Sequence, residues 1–172
     1  VLLFTLDHES DVSRTLERVW QYQVDGVIAA AHLSPDEIVT FEERNVPLVF
    51  YNRSYEDIPV SSVSCDQVGG ERALINRLTK SGQHKSYAII TGPSDSVVSM
   101  QRTRGAIDRL DESGVTDVTQ VSGDYGYKSG RRAVQEIIEL RGSAPDAIIC
   151  ANDMMAFGAM DDEMPDPETL SR

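Results

Sequence analysis

The feature that most constrains this chain is an alternation of short apolar runs with amphipathic stretches, repeated from end to end. Val1 to Leu6, Gly26 to Ala30, Pro47 to Tyr51, Val60 to Cys65, Ser86 to Thr91, Val118 to Val121 and Ala147 to Cys150 are each four to six residues of strand-like sequence. Nearly continuous apolar runs of this length fit strands covered on both faces rather than strands facing water, and Val1 to Leu6 reads as a central parallel strand. Between them, apolar residues recur at helical spacing: Leu16, Val19 and Trp20; Ala73, Leu74 and Leu78; Met100, Ile107 and Leu110; Ala133, Val134, Ile137 and Ile138; then Met154 to Met160. Ser34-Pro-Asp-Glu37 sets a capping hydroxyl, a first-turn proline and a glutamate that reaches back, so a helix starts there and runs to about Arg44.

Strands alternating with helices imply parallel sheets with right-handed crossovers. The fold class is therefore α/β, and the strand-helix theme runs through two halves with a boundary near Gly82, giving subdomains 1–82 and 83–172. Open sheets of this kind bind ligands at the carboxyl ends of their strands. The polar turns at those ends are Asp7-His8, Asn52-Arg53, Gly92-Pro93-Ser94 and Asn152-Asp153.

At 172 residues the chain can bury roughly 70% of its unfolded surface in a core. Its 28 acidic and 16 basic residues give a net charge of −12, which is unsuited to wrapping phosphate backbone, so contact with DNA requires another segment. The longest apolar stretch, Val27 to Ala31, is far short of the roughly 20 residues of a membrane helix, and Val1 opens no secretory leader. Two cysteines make no disulfide framework. Cys65 and Cys150 each close an apolar run, where a small buried thiol is expected.

Several chemistries lack their motifs. There is no P-loop and no dinucleotide fingerprint, and Gly69-Gly70 fits close helix packing better than phosphate contact. His8, His32 and His84 stand far apart without paired ligand spacing, so neither a metal nor another cofactor is expected. No nucleophile elbow or catalytic cysteine signature occurs, and no residue set predicts an enzyme. What remains is a set of polar strand-end residues: Asp66, Arg102, Tyr125 and the pair Asn152-Asp153. Carboxylate, amide and guanidinium groups match the paired donors and acceptors of a polyol, and an aromatic ring can cover its apolar face. Each also has a plainer reading: Asp66 and Asn152-Asp153 as helix caps, Arg102 as a surface cation beside Arg104, Tyr125 as a turn aromatic.

Gly69 to His84 followed by Tyr87-Ala-Ile-Ile-Thr-Gly-Pro93, then Arg102-Thr-Arg-Gly105, Gly123-Asp-Tyr125 ahead of Lys128-Ser-Gly-Arg-Arg-Ala133, and Ala151-Asn-Asp-Met-Met-Ala-Phe-Gly-Ala-Met160 together resemble the effector-binding domain of the LacI/GalR family of bacterial transcription regulators. The resemblance covers most of residues 1 to 160. It implies a periplasmic-binding-protein-like (type I) core of two Rossmann-like subdomains with a small effector, a sugar or a derivative of one, in the cleft between them. It also implies that Asp66, Arg102, Tyr125 and Asn152 are effector contacts, with Ser96 and Val98 on a loop that varies with ligand. Such regulators are cytoplasmic homodimers that bind operator DNA through an amino-terminal helix-turn-helix. That segment, a first strand-helix unit and later strands of the family pattern are missing from this sequence, which therefore resembles a fragment. The other reading of the same fold is a periplasmic sugar-binding protein serving a transporter.

Overall fold

The computed structural model describes residues 1–6, 12–53, 55 and 58–161. Its elements, in order, are α1 (Val12–Gln21), β1 (Val27–Ala29), α2 (Pro35–Glu43), β2 (Leu48–Tyr51), β3 (Ser61–Val63), α3 (Gln67–Thr79), β4 (Ser86–Thr91), α4 (Val97–Glu112), β5 (Asp117–Ser122), α5 (Tyr127–Arg141), β6 (Ala147–Cys150) and α6 (Asp153–Ala159). The α/β class and the parallel pairing follow the sequence pattern. The Asp7-His8 turn, His8 itself and the acidic stretch after Asp161 lie outside the described residues. Among those described, no helix is long and apolar enough to cross a membrane.

Contacts divide the chain into two compact units, Val1–Cys65 and Asp66–Arg172. In the first, β1-β2-β3 form a parallel sheet, with Ala29 opposite Phe50 and Tyr51 opposite Val63. The side chains of Val27, Ala29 and Phe50 point to one face and pack with Val12, Trp20, Leu33, Ile38 and Phe41 from α1, α2 and their flanking turns. α2 begins as its sequence requires: the Ser34 hydroxyl accepts from the Glu37 N–H at 3.3 Å, and the Glu37 carboxylate accepts from the Ser34 N–H at 2.8 Å.

The first unit departs from the sequence reading in three places. Val1 to Leu6 forms no strand, and Val1 and Leu3 are exposed; an apolar run encodes burial but not a pairing partner, and among the described residues none lies alongside it. Among the described residues the sheet is covered on one face only, leaving Ile28, Tyr51 and Val63 of the other face exposed. Cys65, expected to be buried, is exposed, because it follows the edge strand β3, all of whose residues face solvent. Cys150 is part-buried at the end of β6, and desolvation pushes its thiol up to about 11.

In the second unit the sheet order is β5-β4-β6, all parallel. β4 sits in the middle, and its alternation divides the core. Tyr87 and Ile89 pack with Ile75, Ala106, Leu110 and Ile149 on the face covered by α3 and α4. Ala88 and Ile90 pack with Val121, Ala133, Ile137 and Met155 on the face covered by α5 and α6. Complete burial of side chains such as Ile89 and Ile90 stabilises by about 1.5–3 kcal/mol each.

The unit boundary falls between Cys65 and Asp66 rather than near Gly82, because α3 packs against α4. Gly105 allows the approach: a Cβ there would lie 2.7 Å from the Val68 carbonyl oxygen and 3.1 Å from Glu71 Cβ. Arg72 grips both Glu112 oxygens at 2.9 and 2.7 Å, and Arg109 donates to Asn76 at 2.9 Å. Gly69-Gly70 does not supply this packing. A Cβ on Gly69 would strike the Asp66 carboxylate, and one on Gly70 meets open space.

Candidate functional site

Because β4, β5 and β6 run parallel, the turns that follow them emerge along one edge of the sheet. The chain passes from β4 to β5 on one side and then returns to β6 on the other, and such a reversal opens a crevice at the carboxyl ends of the strands. Ser96, Tyr125 and Asn152 stand on those three turns, and hydrogen bonds link them.

Ser96 caps α4: its hydroxyl accepts from the Ser99 N–H at 3.3 Å and lies 2.7 Å from the Tyr125 hydroxyl. Tyr125 holds φ at +67°, a left-handed conformation costing a bulky residue about 1–2 kcal/mol. Three contacts keep it there. Asp124 Oδ1 accepts from the Gly126 N–H at 2.7 Å and tightens the turn. The Asn152 amide donates to the Tyr125 carbonyl at 2.8 Å. The ring lies against Gly92, where a Cβ would come within 2.4 Å of it. Asn152 is at once the cap of α6, its Oδ1 accepting from the Met155 N–H at 3.0 Å, and the clamp on Tyr125. The helix-cap reading of Asn152 therefore holds, and the same side chain also joins the hydrogen-bonded cluster.

Arg102 is not a free surface cation. It projects from the second turn of α4, half-buried, with Nε donating to Gln67 Oε1 at 2.8 Å and Nη1 donating to the Ala151 carbonyl. The guanidinium thus spans from the start of α3 to the end of β6 and stops next to Asn152. Val98, in the first turn of α4, is half-buried. Asp66 is exposed and caps α3, its Oδ1 accepting from the Gly69 N–H at 2.8 Å. Among the described residues no hydrogen bond or ion pair joins Asp66 to Arg102, Tyr125 or Asn152.

Two residues that sequence reasoning passed over lie in the cluster. Gln67 is 8% exposed and supplies the acceptor for Arg102. Glu71, one helical turn later, lines a small cavity of about 10 Å³ with Arg102, Thr103 and Ala151, the size of a single water. Its Oε1 is buried with no hydrogen-bond partner among the described residues, and desolvation raises its carboxyl above the ordinary value although Arg102 opposes the shift. The signal for both was present in the sequence: Gln67, Glu71, Ile75 and Leu78 follow helical spacing along the face of α3 that Ile75 buries.

The cluster assembles a guanidinium, an amide, two hydroxyls and a ring face on rigid strand ends. That is equipment for holding a small polar molecule by several hydrogen bonds at once. Among the described residues no three His, Cys, Asp or Glu side chains converge as a metal site requires.

The family model described as periplasmic binding proteins and sugar binding domain of LacI family matches residues 1–162. A curated relative, the HTH-type transcriptional regulator CelR of Thermobifida fusca, is 34% identical over 142 residues, 80% of this chain and 41% of the relative. The probable HTH-type transcriptional repressor ExuR of Bacillus subtilis is 29% identical, covering 87% of this chain and 46% of its own length. The chain thus spans less than half the length of these relatives. Among solved structures, a CelR-cellobiose complex superposes with a TM-score of 0.69 at 31% identity, covering 86% of this chain and 46% of that one. A LacI-family sugar-binding regulator from Escherichia coli, solved with phosphate, gives 0.73 at 27% identity, covering 90% and 56%. With its two α/β units, parallel sheets and polar strand-end cluster, this chain belongs to the family of periplasmic binding proteins and LacI-type sugar-binding domains.

Proposed function

We propose that the chain is the effector-sensing part of a bacterial DNA-binding transcription regulator and that it takes a sugar or sugar derivative at the carboxyl ends of β4, β5 and β6. In this reading Arg102 and Asn152 hold hydroxyls of the ligand, the Tyr125 ring covers its apolar face, and the Tyr125-Ser96 hydroxyl pair adds a donor and an acceptor. Val98 and Asp66 border the ligand. The whole protein works in the cytoplasm as a homodimer on operator DNA, through a helix-turn-helix outside this chain. The effector acts by linkage, changing DNA affinity only by its differential affinity for two states, typically about 1–3 kcal/mol.

The observation that carries this reading is the hydrogen-bonded array of Ser96, Tyr125, Asn152 and the mounted Arg102 guanidinium on three adjacent strand ends. The regulator names of the relatives favour it over a transporter subunit.

The test is a thermal-shift screen of uncharged sugars and sugar derivatives. A ligand at a hundred times its Kd adds about 2.7 kcal/mol to the native state. Arg102→Ala should remove that shift, while also lowering the unliganded Tm because Gln67 and the Ala151 carbonyl lose their donor. A sugar-induced shift undiminished in Arg102→Ala refutes the site. In the full-length protein the same ligand should alter operator affinity, and an operator affinity indifferent to it refutes the sensor.

A further inference from the structure

Arg102 is the cation of the cluster, and a guanidinium can donate to neutral hydroxyls as well as to anions, which it holds more strongly when nothing opposes its charge. What stands around it decides between them. Its Nε is held by an uncharged acceptor, Gln67, and its Nη1 by a backbone carbonyl. Glu71 completes the surroundings, lining the same small cavity with its Oε1 buried and unbonded.

The geometry points to Glu71 as the specificity-determining residue of the site: standing beside Arg102 as a built-in counter-charge, it makes the site select an uncharged effector over an anionic one. The inference rests on the reading above, in which Arg102 meets the effector. An anion approaching Arg102 also approaches Glu71, and in a partly desolvated crevice the repulsion cancels much of the attraction. A neutral hydroxyl loses far less by this, because it depends on the N–H direction of the guanidinium more than on its net charge. Glu71 is also poorly placed to be a fold-stabilising ion pair: among the described residues no donor bonds Oε1, and a buried carboxylate with an unmet oxygen costs stability. A residue that destabilises locally and faces the binding cation has its explanation in selectivity.

The groups facing Glu71 are few. From α4 come Arg102 and Thr103; from the strand ends come Ile89, Ile149 and the Ala151 backbone; on α3 itself, Gln67 serves Arg102 and Arg72 is engaged by Glu112. Arg102 is the charge that Glu71 feels. Since burial raises the Glu71 carboxyl, its negative charge is lost at a higher pH than an ordinary glutamate's. Below that pH the site becomes cationic.

The experiment uses sulfate as the probe, because it keeps its two charges from pH 5 to 8. It is titrated into the full-length protein while the Arg102 Nε–H resonance, assigned with Arg102→Lys, is followed by NMR. At pH 7.5 Glu71→Gln should bind sulfate about tenfold more tightly than wild type. Wild type should tighten toward the variant as pH falls to 5.5, whereas Glu71→Gln should stay level. Adding Gln67→Glu to Glu71→Gln returns a carboxylate to the guanidinium and should restore rejection. Equal affinities of wild type and Glu71→Gln at pH 7.5, or an Arg102 signal that sulfate moves in neither protein, overturns the assignment. A sulfate response under Glu71 control, together with no uncharged sugar raising the Tm, would instead overturn the sensor reading on which the assignment rests.

Discussion

Helices α5 and α6 approach closely enough for backbone to touch backbone at Gly130, and a single methyl group tests that contact. A Cβ on Gly130 of α5 would lie 2.1 Å from the Met155 carbonyl oxygen and 2.6 Å from its Cα, against the 3.4 Å of ordinary contact. Backbone cannot rotate aside, so Gly130→Ala must push α6 away by roughly 1 Å. The displaced helix carries Met155, which is fully buried against Ala133 and Ile137. Overpacking of this kind costs about 1–3 kcal/mol, from which the alanine's better helix propensity returns about 0.5–1 kcal/mol. A net loss of about 1–2 kcal/mol is expected, and each kcal/mol lowers the Tm of a 172-residue chain by roughly 2–4 °C. Gly70→Ala is the internal control. It makes the same chemical change within a helix, but the new methyl meets nothing within 4 Å, so it should stabilise by about 0.5–1 kcal/mol. Urea unfolding of wild type and both variants measures the two effects. If Gly130→Ala is as stable as Gly70→Ala, the backbone contact between α5 and α6 is not what positions α6.

Other variants probe other links. Ser34→Ala removes the α2 cap and should cost about 1 kcal/mol in urea unfolding at pH 7. Hydrogen bonds from Ser13 and Ser34 outweigh desolvation and hold the Glu37 carboxyl below its ordinary value, so its stabilisation is complete above that value and is lost as pH falls through the lowered one; Ser34→Ala should flatten the acid limb between pH 5 and 3. A thiol reagent at pH 8 should modify exposed Cys65 promptly and Cys150 only on unfolding, because burial keeps the latter protonated; rapid reaction of both refutes the packing of β6. Tyr125→Phe deletes the hydroxyl bonded to Ser96 and should cost about 0.5–1.5 kcal/mol by thermal unfolding while weakening sugar binding.

The second unit was legible because its central strands are buried on both faces, and burial is what apolar runs record. Ser86–Thr91 and Ala147–Cys150 have the same bounds in the sequence reading and in the structure. Val1 to Leu6 has the same kind of run and no strand, since composition says nothing about which ladder waits beside it. The α3 helix was found but assigned to the wrong unit: its partner is chosen by Gly105 and by the Arg72-Glu112 pair, both contacts distant in sequence. In the cluster, Arg102, Tyr125 and Asn152 were findable as polar residues near strand ends and Ser96 only through the family resemblance; Ser96 and Asn152 each hydrogen-bond Tyr125. The sequence reading set Asp66 among these residues and passed over its neighbour Gln67, which accepts from Arg102 Nε. Asp66 has the chemistry of a guanidinium partner, yet capping α3 leaves it exposed and turns Gln67 inward.

The strand order of the second unit also dictates when it can be assembled. In β1-β2-β3, each strand finds its neighbour in the order of synthesis. In β5-β4-β6 the strand made first is the one needing two neighbours, and the later of these ends at Cys150. With a ribosome adding roughly 5–20 residues per second, Tyr87, Ile89 and Ile90 wait about 3–12 s after emerging before both edges of their strand can close. During that interval a nascent Ser86–Thr91 is an uncapped apolar template, and a chaperone or a run of fast codons that shortens the wait would raise the yield of folded protein without changing its final stability.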